Sequence, residues 1–157
     1  MKKFTALLGM AAFGLTALSA NALDRPDVYV VKFRDNNCKS CVMMERNLDN
    51  AMAMVGSSKA KIVKIDTSDS LHWEVSANRA FDANIVPQYN KWAGLTGFVA
   101  VIDRESRRTL GCFKASDDSY KMANFIKSTL HLPYDRAVAN RPGQFQCPPA
   151  HNVDPEQ

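Results

Sequence analysis

The chain has 157 residues, with 20 Lys and Arg against 16 Asp and Glu, a formal net charge of +4 and four cysteines. That length suits one domain with its own core, and so nearly balanced a charge argues against a dedicated nucleic-acid binder. No stretch reaches the ~20 apolar residues of a transmembrane helix, so no membrane span is expected in the mature protein.

Lys2 and Lys3 precede an apolar run from Phe4 to Leu18 and then Ala20-Asn21-Ala22, the pattern of a secretory signal peptide over residues 1–22. Cleavage is expected after Ala22, or else after Ala20. Loss of the two lysines brings the net charge to about +2. With no cysteine near the cleavage site to carry a lipid, the expected location is periplasmic or secreted, where disulfides persist.

"DVYVVKF", 27–33, is short, β-branched and aromatic, as a buried strand is. From Ser40 to Val55 the apolar residues Met44, Leu48, Ala51, Met52 and Val55 form a helical stripe, ended by Gly56-Ser57-Ser58. "KAKIVKID", 59–66, alternates as a second strand, and Thr67, Ser68 or Asp69 can cap a helix with Trp73, Ala77, Ala80 and Phe81 on one face. From Asp82 to Gly97 no period survives Pro87 and Gly94, so this stretch is expected to be a loop. "FVAVID", 98–103, and "TLGCFKA", 109–115, predict a hairpin, and Ser116-Asp117-Asp118 caps a last helix to about Leu130 with Tyr120, Phe125 and Leu130 apolar. The domain thus runs over 23–132, and the Pro-, Asn- and Gln-rich tail, 133–157, is expected to lack regular structure. The first two strands need a right-handed helical crossover, and the hairpin extends the same sheet.

"FRDNNCKSCVMMERN", 33–47, places Cys38-x-x-Cys41 where the first strand gives way to the helix. A helix N-terminus stabilises a thiolate, and Lys39 adds a positive charge. Cys38 is therefore the expected nucleophile, and Cys41, one turn further in, the thiol that resolves the mixed disulfide.

These features resemble the thioredoxin superfamily over residues 27–130: strand, C-x-x-C, helix, the "KIVKID" strand, helix, hairpin and last helix, in the family's order. With a signal peptide, the chain looks like the exported thiol-disulfide oxidoreductases. The resemblance implies an α/β thioredoxin-like fold, a central mixed sheet flanked by helices, and exchange of disulfides with client proteins without a cofactor or metal. A separate redox partner would reset the pair. Four positions depart from the family's habit: Asn37 replaces an aromatic residue, Lys32 an acidic one, Arg46 a proline, and Thr96 a cis-proline. The last equivalence sets Leu95-Thr96-Gly97 against the cysteines as the substrate-binding loop, with a trans peptide expected at Thr96. A rival equivalence uses Pro87, but the polar residues after it do not begin a strand. Lys32 would then lie beneath the cysteine pair, where a cation favours thiolates and tunes their pKa together with Lys39.

A second reading makes the chain a thioredoxin-like binding module, with its disulfide structural, that holds copper or docks to an envelope assembly. Met43, Met44, Met52 and Met54 suggest Cu(I), although methionine is also ordinary core filling. Zinc would need ligands beyond Cys38 and Cys41 that the spacing does not supply, and His72, His131 and His151 show no ligand spacing. Cys112 and Cys147 are expected to pair across the sheet edge, since an exposed free thiol is a liability in an oxidising space. Four cysteines nevertheless allow three connectivities.

Overall fold

The structure, a computed structural model, describes residues 25–139 and 145–150. The stretch expected to be a signal peptide, 1–22, and His151 lie outside the described residues.

Strand β1 (Val28–Arg34) runs into helix α1 (Cys41–Val55), then β2 (Ala60–Asp66) and α2 (Ser70–Asp82). A short α3 (Val86–Trp92) leads to the hairpin β3 (Phe98–Asp103) and β4 (Thr109–Lys114), α4 (Ser119–Thr129) and one turn, α5 (Arg136–Ala139). The four strands form one open sheet in the order β2-β1-β3-β4. β1 and β2 are parallel, while β3 is antiparallel to both β1 and β4. The chain is therefore α/β, with a mixed sheet and helices on both faces.

The side-chain period of the strands divides the core in two. Val28 and Val30 face α1 and α4, where Met44, Leu48, Ala51, Val55, Met122 and Ile126 are buried. Tyr29, Val31 and Phe33 face the other way, onto Ala80, Ile85 and Trp92. The stripe expected on α1 is the buried one, with Cys41 at its first turn. Gly56, with φ near +59°, ends that helix in the left-handed conformation.

Several expectations need correction. The stretch 82–97 contains α3, whose seven residues are too few to show a period. Pro87 opens it at a position that loses no hydrogen bond, and Gln88 and Trp92, one turn apart, are buried. Asp69 does cap α2, accepting from the His72 N–H at 2.9 Å. Its buried residues are however Ser76 and Ala80, whereas Phe81 is 75% exposed. On α4 the buried face is Met122, Ala123, Asn124 and Ile126, and Tyr120 is exposed.

The tail is more ordered than its composition suggests. Asp135 donates its N–H to Asn124 and accepts from Ala137 N–H, which starts α5. Farther on, Phe145 accepts from Cys112 N–H at 2.9 Å, Cys112 and Cys147 are disulfide-bonded, and Trp92 Nε1 donates to the Pro148 carbonyl at 3.1 Å. Phe145 packs with Phe113 and Phe125 on one face of the sheet, while Cys147 packs with the core on the other. The segment thus wraps the free edge of β4. Gly111 admits it: a Cβ there would stand 2.7 Å from the Phe125 ring and 3.1 Å from Phe145.

Candidate active site

β1 ends at Arg34, and the turn over residues 35–40 delivers Cys38 and Cys41 to the start of α1. The Cys41 N–H donates to the Cys38 carbonyl at 3.2 Å, and the Met44 N–H to Ser40, the residue that caps α1. The two sulfurs are bonded to each other. Cys41 is 1% exposed, whereas Cys38 is half-buried and Lys39 is fully at the surface. No acidic residue occupies the first turn of α1, so nothing there offsets the positive end of its dipole.

The loop before β3 closes the other side. The Gly97 N–H donates to the Phe33 carbonyl at 2.9 Å, which fixes the loop to the end of β1. A Cβ on Gly97 would lie 3.5 Å from Cys38 Sγ and 2.9 Å from Ser40 Oγ, so bare backbone faces the disulfide. Leu95 donates to Trp92, and the Thr96 peptide group between these anchors has no backbone partner among the described residues. No described peptide bond is cis. Pro87 is in α3, whereas of Leu95-Thr96-Gly97 it is Gly97 that lies against Cys38.

Lys32 points to the α1 side of the sheet, where its Nζ lies 3.3 Å from Glu45 Oε1. Arg34 Nε lies 3.2 Å from the same oxygen, and its guanidinium reaches Asp66 at 2.7 Å; Lys64 reaches Asp66 at 2.8 Å. Lys32 is therefore not an isolated cation but one end of a chain of alternating charge. Asp66 is 1% exposed. Burial pushes its carboxyl up, but hydrogen bonds from Lys64, Ser68 and Arg34 outweigh this and hold it well below the usual carboxylate range.

Two further residues, Ser40 and Glu45, stand beside the cysteine pair without any motif signal in the sequence pattern. Ser40 Oγ lies 3.6 Å from Cys38 Sγ, close enough to stabilise a thiolate once the disulfide opens. Glu45 sits one turn after Cys41 on α1 and was legible only as a position at i+4. Among the methionines, Met44 is core while Met43 and Met54 are exposed, and among the described residues no group of three His, Cys, Asp or Glu converges on a metal position. Nor is any helix there long and apolar enough to cross a membrane. No family model, curated protein or solved structure matches the chain.

Proposed function

We propose that the protein is a thioredoxin-like thiol-disulfide oxidoreductase that acts on client proteins outside the cytoplasm. The observation that carries this reading is the asymmetry of the bonded pair: Cys38 half-buried, Cys41 fully buried, and the bare backbone of Gly97 against the first. The strand order β2-β1-β3-β4, with C-x-x-C between β1 and α1, supports a thioredoxin-like fold. Two disulfides suit an oxidising compartment.

In the reduced protein Cys38 is the thiolate, favoured by the α1 terminus, Lys39 and the Ser40 hydroxyl. It attacks one sulfur of a client disulfide, forming a mixed disulfide and releasing the other client sulfur as a thiolate that takes up a proton. Cys41 then loses its proton and attacks Cys38 Sγ, which frees the second client thiol and regenerates the Cys38–Cys41 bond. The same steps in reverse oxidise a client dithiol. An extended client segment can pair with the open Thr96 peptide group while its cysteine meets Cys38.

The test is a Cys41→Ala variant expressed with its leader. Its Cys38 should accumulate client adducts that disappear with dithiothreitol on gels, and the wild-type protein should accelerate insulin reduction by dithiothreitol. Absence of both adducts and acceleration would remove the enzymatic reading and leave the disulfide a structural one.

A further inference from the structure

β2 is an edge strand, and only part of its outer edge is covered. The Thr67 N–H donates to Arg34 and the Lys59 carbonyl accepts from Val28, so the odd-numbered residues of this strand face β1. In a parallel pair alternate residues turn their backbone groups the same way, which points those of Ile62, Lys64 and Asp66 outward. Helix α2 meets the last two. The Asp66 N–H donates to Ser76 Oγ at 2.8 Å, the same hydroxyl donates to the Asp66 carbonyl at 2.9 Å, and Arg79 donates to the Lys64 carbonyl at 3.2 Å. Beyond Arg79 the cover stops. The Ile62 N–H and carbonyl and the Lys64 N–H have no partner among the described residues.

This open stretch forms one wall of a cleft of about 380 Å³, with Tyr29, Val63 and Ala83 as its apolar lining and Lys61 and Arg79 at its rim. A second cleft of about 330 Å³ shares Tyr29 and Ala83 with it and adds Arg25 and Arg104. Among the described residues none of Lys61, Arg79, Arg25 and Arg104 forms an ion pair, and Asp82 is the one acidic residue lining either cleft. Tyr29 stands near the start of β1 and Arg104 just past β3, so the clefts lie at the opposite end of the sheet from Cys38.

We propose that this edge is a docking site for an extended acidic segment of another protein, added beside β2 as a fifth strand. Only a polypeptide offers both the carbonyl and the N–H that the Ile62 edge requires, and carboxylates answer the unpaired cations. A polyphosphate or nucleic acid would meet the cations and leave the edge unpaired. A second copy of this chain would set its own Lys61 and Arg79 beside those of the first, cations beside cations with Asp82 the one acidic residue of the cleft, which is repulsive. The proposal stands whether or not Cys38 exchanges disulfides.

The experiment measures fluorescence anisotropy of a labelled decapeptide of alternating Glu and Val. Its comparisons are the Lys-Val counterpart and the Glu-Val peptide N-methylated at four consecutive central residues. Saturable binding of the Glu-Val peptide is expected, weakened at least tenfold by N-methylation, by charge reversal in the peptide, and by Lys61→Glu in the protein. Lys61 is exposed, so the variant should keep its circular dichroism spectrum and its rate of insulin reduction. Absence of saturable binding, or binding that N-methylation leaves intact, overturns the proposal; the second result would make the cleft a plain anion site.

Discussion

At the scale of single residues the decisive contacts are those of Lys32. The family resemblance implies a lone cation beneath the cysteines that favours their thiolates, but Glu45 lies 3.3 Å from the Lys32 ammonium and offsets much of such a field. The two charges should therefore move the redox pair in opposite directions. Lys32→Met removes a cation, disfavours the thiolate and makes the protein less oxidising; Glu45→Gln does the reverse. Each shift should stay within about 30 mV, the equivalent of ~1.4 kcal/mol, because both side chains are partly solvated. A glutathione titration of both variants decides it, and shifts of the same sign would mean that packing rather than charge is at work. Gly97 is the other sensitive residue. Its φ of +84° and the 2.9 Å approach to Ser40 predict that Gly97→Ala slows alkylation of Cys38 by iodoacetamide in the reduced protein, while stability falls by about 1–2 kcal/mol.

At the scale of elements, Asp66 joins β2 to β1 and α2, and it ties the joint to pH. Its folded carboxyl is depressed, so its contribution to stability is complete above the unfolded value of about 3.9 and is lost as pH falls below it toward the folded value. Asp66→Asn should lose roughly 3 kcal/mol near pH 7 and show a flatter decline of urea midpoint between pH 5 and 2 than the wild type. Gly111→Ala should cost about 1–3 kcal/mol, because the added carbon meets the Phe125 ring at 2.7 Å. These elements were legible to different degrees. β1, α1, β2 and the hairpin carry periods long enough to read, and C-x-x-C falls at a strand-to-helix junction that the pattern itself marks. α3 is hidden because its helix is fixed by burying Trp92 against Phe33, distant in sequence, and against Phe98 beyond the intervening loop. The α2 face is legible at Ala80 and not beside it, because the other buried residue is Ser76, a hydroxyl residue: its partner is the backbone of Asp66, which no hydrophobic period reports. Glu45 likewise gains its meaning only from a strand residue 13 positions away, Lys32.

At the scale of the whole molecule the Cys112–Cys147 bond holds the tail across β4. It closes a loop with a separation of 35 residues, which the chain-entropy model values at roughly 3–4 kcal/mol. Replacing both cysteines by alanine should lower urea stability by about that amount and leave insulin reduction through Cys38 largely unchanged. Trp92, whose indole donates to Pro148, provides the readout, since release of the tail frees its N–H and shifts its fluorescence. The same bond bears on biosynthesis. A ribosome adds Cys112 35 residues before Cys147, so Cys112 is a lone thiol for that interval while Cys38 and Cys41 are already complete. A product terminated between β4 and Cys147 retains that thiol, an open β4 edge and an unpartnered indole. Closure of the second disulfide is thus a chemical mark that translation has reached the tail, readable by any quality-control factor that binds free thiols or unpaired strands.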